Sequence, residues 1–454
     1  MKVVVVGAGL AGLSAACELS DLGHRVTVLE SRPWVGGKAY AVESALGWRD
    51  NGQHVFMGCT TAYAGFLQKL GTFGLTYRQH LLRVPVFDGD GRESQIAAAA
   101  LPAPLHLGGS FLRYRHLGAR EKLQAGRLLL AIWRGGERLQ GHARGQVFAA
   151  WLAERGQAPS TIERFWDFLI VPTMNCRAAV VDAGDALFVI RHGFLEHRSH
   201  AALGVSRAPL SQLHGDPAVR YIEARGGAVR VRARGAEVLW AGDAASGVRL
   251  TTGEGVAAEA VVLAVANESL AEAAGPSLAT LPYIQAAASL PTAPIVNLHV
   301  AFDRPVARWP FAAFAGSPLQ WAFNRDVLDL ADAPRDHRLV ISLSDATSAT
   351  SMTPTALRAM FEPLLRRAIP GCAGATIVRW DVTKEPHATF IPAPGLSRPG
   401  NETPIAGLFL AGAYTDTGWP ATMESAVRSG IRAARLVHVR SLASGPPRTG
   451  ASGG

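Results

Sequence analysis

The chain opens Met1-Lys-Val-Val-Val-Val-Gly-Ala-Gly-Leu-Ala-Gly12, and no other stretch limits its fold so tightly. Four successive valines suit a strand buried on both faces, as in a parallel sheet covered by helices. The run Gly7-x-Gly9-x-x-Gly12 then turns the chain into a helix over Leu13 to Leu22. Gly7 permits a tight turn, Gly9 lets a pyrophosphate approach the backbone, and Gly12 lets the helix pack close to the strand. Backbone N–H groups and the dipole at such a helix start favour an anion. After a turn at Gly23, a second strand over residues 25–29 ends at Glu30. An acid at this distance beyond the glycines takes both hydroxyls of an adenosine ribose and disfavours a 2′-phosphate. The unit is therefore expected to bind FAD or NAD and not NADP.

The next residues separate those two. Arg32-Pro-Trp-Val-Gly36-Gly37-Lys38 follows the acid directly, and a second glycine pair beside a cation offers another close backbone approach with charge to offset a pyrophosphate. Near the other end, Leu408-Phe-Leu-Ala-Gly412 reads as a short buried strand. The loop from Thr415 to Glu424 then enters an amphipathic helix through Val427, Ile431 and Leu436. Together these segments resemble the large flavoprotein family that includes amine oxidases and carotenoid desaturases. The resemblance implies an FAD cofactor held by Gly7, Gly9, Gly12, Glu30, Arg32, Gly36, Gly37 and Lys38. It places β-structure around Val231 against the adenine, and Gly412, Thr422 and Met423 along the ribityl chain and isoalloxazine. The sequence departs from the family pattern at three positions. Lys38 stands for the more usual arginine, which keeps charge but loses a bidentate contact. Ala413 replaces an aspartate, and Ser425 replaces a glycine. No cysteine or histidine lies in a flavin-attachment motif, so non-covalent FAD is expected.

The expected fold class is α/β: a Rossmann-like FAD-binding domain with an inserted α+β substrate domain. FAD-binding segments are assigned to 1–90, 206–280 and 396–440, substrate-domain segments to 91–205 and 281–395, and a disordered Gly/Ser/Pro-rich tail to 441–454. The four cysteines show no metal or CxxC spacing and read as free thiols in a reducing compartment. Neither a metal site nor a secretory leader is evident, and the longest charge-free stretch is broken by four prolines, so no spanning helix is expected. The formal net charge is +9, yet no nucleic-acid-binding motif accompanies it. Much of the excess lies in residues 111–139, where seven Arg and Lys residues alternate with aromatic and aliphatic ones. This composition suits an element lying on an anionic membrane, and a solvated helix over the core explains it equally well. A cytoplasmic protein, peripheral on the inner face of the membrane, is the expectation.

Four segments carry a closer resemblance: Asp50-Asn-Gly-Gln-His54 with its continuation to Cys59, Phe165 to Asn175, Pro209 to Leu213, and Thr417-Gly-Trp-Pro-Ala-Thr-Met-Glu424. They are similar to the squalene-associated flavoproteins, which implies a long apolar isoprenoid substrate and reductive removal of a hydroxyl from hydroxysqualene. Such a C–O bond needs a proton as it breaks, and the expected donors are Asp50 and His54, with Asp167 as a lesser choice and Asn175 as a residue able to hold the hydroxyl. Oxidative desaturation of squalene or a carotenoid, and non-catalytic FAD or lipid binding, remain open alternatives. With one nucleotide motif, the sequence does not identify the electron donor. A direct test of the dinucleotide reading is Glu30→Arg. It is expected to weaken FAD binding, measured by fluorescence titration of the cofactor-free protein, and undiminished affinity would refute the ribose contact.

Overall fold

A computed structural model of the chain describes residues 1–44, 47–331, 333 and 335–443. At its centre is a five-stranded sheet in the order Ala228–Arg230, Arg25–Leu29, Lys2–Val6, Ala260–Leu263 and Leu408–Leu410, with every pairing parallel. Successive side chains of a strand point to opposite faces. Val3 and Val5 accordingly enter one core with Leu13 and Val427, and Val4 and Val6 enter another with Val248 and Leu263. All four valines are essentially inaccessible to solvent, and burying each contributes roughly 1.5–3 kcal/mol. The unbroken valine run thus belongs to the strand between two covered faces.

Helix Leu10–Asp21 covers the first face together with the long helix Met423–Ala443. These two meet backbone to backbone: a Cβ on Gly430 would lie 2.1 Å from the Ala11 carbonyl oxygen. The second face carries a small antiparallel sheet of Gly235–Ala241, Ala244–Leu250 and Gly255–Ala257. A buried Asn401 joins strand to helix, its amide donating to the Leu410 carbonyl (2.8 Å) and the Ser429 hydroxyl (2.9 Å). The Rossmann-like expectation is borne out, with the chain returning to one sheet from three distant regions.

The second layer is a seven-stranded sheet ordered Ile377–Phe390, Thr292–Phe302, Arg338–Ser344, Trp321–Asn324, Phe311–Phe314, Arg83–Phe87 and Glu93–Ala97. Helices between residues 108 and 190 pack on one of its faces around Trp151 and Trp166, and helix Pro354–Ala368 covers the other. Strand Arg83–Phe87 joins this sheet, although it lies before the boundary expected at residue 90. Antiparallel strands Val55–Met57 and Thr76–Arg78 flank Leu203–Ser206 and tie the two layers together. Helix Met423–Ala443 runs past the start of the tail expected at 441, and residues 444–454 lie outside the described residues. All four cysteines are buried free thiols. Among the described residues, no helix is long and apolar enough to cross a membrane.

Candidate active site

A single continuous cavity of about 1390 Å³ runs from the glycine loop at the carboxyl ends of the parallel strands into the helical part of the second layer. At its nucleotide end Gly7 has φ +103°, and a Cβ on Gly12 would stand 1.9 Å from the Gly7 carbonyl oxygen. The second glycine pair closes on the first. Gly36 N–H donates to the Ala8 carbonyl (2.8 Å), Gly37 has φ +62°, and a Cβ on Gly37 would lie 2.8 Å from the Gly9 Cα. Only glycines allow two backbone segments to meet this closely. The buried Glu30 carboxylate accepts from the backbone N–H groups of Ala8 (2.8 Å) and Arg32 (2.8 Å), which fixes it at the cavity wall.

Arg32 reaches back to the Gly37 carbonyl (3.1 Å), and Lys38 forms an ion pair with Glu268 (2.8 Å); all four residues line the cavity. Gly412, Thr422 and Met423 border it farther along, where helix Met423–Ala443 begins. Gly412 N–H is held by the Ser429 hydroxyl (2.9 Å). At Ala413, where the family's acid is missing, Ser425 Oγ donates to the carbonyl (3.1 Å), and Asp416 is turned outward to Arg398 (3.3 Å). The Tyr414 hydroxyl is buried with no hydrogen-bond partner among the described residues. The glycine cradle and the placed acid together fit a bound dinucleotide.

Two expected residues stand elsewhere. Val231 is 42% exposed and is not at the cavity wall; Arg234 and Gly235 line it instead, because the chain enters the small antiparallel sheet there. Gly235 packs so closely on Val6 and Val248 that a Cβ would lie 3.0 Å from Val6 Cγ1. Asp50 also lies off the wall, its carboxylate accepting from the Leu210 N–H (2.9 Å). Burial lifts its pKa from the ordinary 3.8 to about 6, against the opposing pull of Arg325. His54 does line the cavity, with Nδ1 at the Gly52 carbonyl (3.1 Å), and desolvation holds its pKa below the ordinary value. Asp167 caps the Ala178 N–H (2.7 Å) outside the cavity. Asn175 is consumed by Ala293, Thr389 and Asp345 as it ends its helix in the left-handed conformation.

One wall residue had no signal in the motif reading: His192, paired behind the wall with Glu196, whose trace in the sequence is the histidine-rich run Arg191-His-Gly-Phe-Leu-Glu-His-Arg-Ser-His200. Apolar side chains line the far end of the cavity, among them Leu82, Val84, Phe111, Leu123, Leu129, Phe165 and Phe323.

A Rossmann-like dinucleotide unit joined by one cavity to an apolar pocket defines the class of flavin-dependent oxidoreductases. The chain belongs to the flavin-containing amine oxidoreductase family, whose model matches residues 10–438. It is thus an FAD-dependent oxidoreductase of the carotenoid desaturase and amine oxidase type. Among curated relatives, it is 26% identical to the 15-cis-phytoene desaturase of Synechococcus elongatus over 97% of this chain and 96% of that one. It is 27% identical to the hydroxysqualene dehydroxylase of Sinorhizobium fredii over 96% of this chain and 98% of that one. An oxidoreductase from Methanosarcina mazei shares the fold with a TM-score of 0.71 at 17% identity, covering 96% of this chain and all of that one. A redesigned putrescine oxidase does so with a TM-score of 0.70 at 16% identity, over 96% and 99% of the two chains.

The burial of Asp50 has a consequence for pH. Its folded-state pKa is raised, so the unfolded chain holds fewer protons between the two values and stability falls as pH rises through that window. Asp50→Asn keeps an oxygen for the Leu210 N–H and removes the buried charge. Its thermal midpoint is expected to exceed wild type at pH of about 7.5, with the gap closing below pH of about 4. Equal midpoints throughout would show that burial does not disfavour the Asp50 charge.

Proposed function

We propose that the protein uses FAD to act on a long apolar isoprenoid, and that the reaction is reductive removal of the hydroxyl of hydroxysqualene to give squalene. The observation that carries this reading is the apolar far end of the cavity, continuous with the dinucleotide end. Burying one methylene stabilises by about 0.8 kcal/mol, so a chain of about thirty carbons strongly favours such a tunnel over water. The whole-length similarity to the Sinorhizobium enzyme and the Asp50–Cys59 and Thr417–Glu424 runs support the choice of substrate. When bound, reduced flavin would supply hydride. The protein's own part is to hold the chain in an apolar wall, exclude water and deliver a proton to the leaving oxygen. Oxidative desaturation is the second reading, favoured by similarity to the phytoene desaturases.

Anaerobic incubation of FAD-loaded, chemically reduced protein with hydroxysqualene, followed by mass spectrometry, separates the two. Squalene formation is expected. Formation of conjugated double bonds by the oxidised enzyme, with the hydroxyl retained, would instead establish the desaturase.

The helices bordering the pocket suggest how so insoluble a substrate arrives. Helices Gly108–Arg113 and Ala119–Ala143 contribute wall residues Phe111, Leu123 and Leu130, and with the preceding turn Leu105–Leu107 they expose Leu105, Leu112, Leu123, Leu130 and Trp133 beside Arg113, Arg115 and Arg120. An exposed apolar group ringed by cations fits an anionic bilayer surface. Each cation near such a surface contributes about 1 kcal/mol. Reversing Arg113, Arg115 and Arg120 to Glu is therefore expected to abolish cosedimentation with phosphatidylserine vesicles. Undiminished sedimentation would return this segment to an ordinary solvated face.

A further inference from the structure

The dehydroxylation needs a proton donor at the cavity wall, and neither residue singled out by the sequence fills that role. Asp50 faces Leu210 off the wall, and His54, although at the wall, has no carboxylate partner among the described residues. Another pair meets the requirement. Resting on the reductive reading above, we infer that His192 is the general acid that protonates the departing hydroxyl, with Glu196 as its positioning residue.

His192 lines the cavity on the wide, π-helical turn Arg191–Leu195. Such turns, rare elsewhere, recur at functional sites. The four-residue spacing brings Glu196 Oε2 to within 2.6 Å of His192 Nδ1. The other carboxylate oxygen, Oε1, is held by Arg191 Nη1 at 2.7 Å. With Nδ1–H donating to the carboxylate, the tautomer is set, and Nε2 is the ring nitrogen that no hydrogen bond engages among the described residues.

The ring is also locked in place. It stacks on Phe188 (5.3 Å between centroids, 15°) and meets the edge of Trp419 (5.1 Å, 88°), and both aromatic residues line the cavity. Trp419 lies on the loop leading to Thr422 and Met423, so His192 stands on the side of the pocket nearest the cofactor end. From the loop beyond the turn, His200 Nδ1 pairs with the His192 carbonyl (2.7 Å) and holds the backbone. The charged and titratable neighbours around this ring are thus Glu196, Arg191 and His200, with Arg428 behind Trp419.

The allylic C–O bond breaks with its electron pair going to oxygen, which takes the Nε2 proton of the imidazolium and departs as water. Reduced FAD, held by the glycine cradle and Glu30, would supply the hydride that restores the pair carbon loses. His192 is left neutral and is reprotonated from solvent after product leaves.

The test compares hydroxysqualene with its acetate ester, whose leaving group needs no proton, in single turnovers of reduced, FAD-loaded protein. His192→Gln is expected to slow squalene formation from the alcohol by about 10²-fold or more, while the ester reacts at close to the wild-type rate. Equal slowing with both substrates, or no slowing with either, would overturn the proposal. If the wild type converts neither substrate, the reductive reading itself fails, which is a separate result.

A second readout needs no turnover. In FAD-free protein labelled with ¹⁵N-histidine, His192 is expected to carry its proton on Nδ1, and Glu196→Gln is expected to shift that tautomer. At a pH where the ring is neutral, a lone proton on Nε2 with Nδ1 bare in the wild type would exclude the dyad. His192, Glu196 and His200 also lie close enough to share a metal ion. Activity lost on chelation and restored by zinc would therefore overturn the acid role in favour of a metal.

Discussion

The architecture depends on one close approach, between the backbone around Gly9 and the backbone of Gly36 and Gly37. The first segment is anchored by a strand with both faces buried, so it has little freedom to move. The second must come to it, and any side chain at Gly37 would strike the Gly9 Cα. This contact puts the Glu30 carboxylate at the wall, sets the direction in which Lys38 leaves, and defines the floor from which the cavity extends. Helix Met423–Ala443 fits the same floor from the far end of the chain because Gly430 lets it rest directly on the backbone of the first helix.

The cavity divides its labour by chemistry. Its nucleotide end is built from backbone groups and a few fixed charges, which suit an anionic ligand and deform little. Its far end is built from apolar side chains of helices and of the seven-stranded sheet. Between them lies a short aromatic collar of Phe188, His192 and Trp419, where a titratable ring is clamped by packing and by a carboxylate together. A hydroxyl arriving on a long hydrocarbon would meet its polar partner there, at the junction of the two environments. The exposed leucines and arginines beside the pocket continue the same division outward.

Much of this was legible in the residues alone, and the rest was not, for a physical reason. The strand, glycine turn, helix and ribose acid could be read directly because each is dictated by sterics and burial within a few dozen residues of Met1. The same holds for the loop and helix start around Thr422 and Met423. Asp50 and Val231 illustrate the limit. Each sits in the right stretch of chain, but which way a side chain turns depends on what lies opposite: the Leu210 N–H for Asp50, and the entry into the small antiparallel sheet for Val231.

What the sequence by itself determined is therefore the nucleotide cradle and the α/β class, since glycine spacing and unbroken apolar runs permit few other folds, while the choice of FAD rested on the resemblance to a flavoprotein family. Only the tertiary structure decided the contents of the pocket. It withdrew Asp50 from the wall, kept His54 there, and brought Arg234, Gly235 and Tyr414 to the nucleotide end. It also set the His192–Glu196 pair against Trp419, more than two hundred residues away in the chain. Contacts of that length are decided by how whole layers pack, and local pattern carries no record of them.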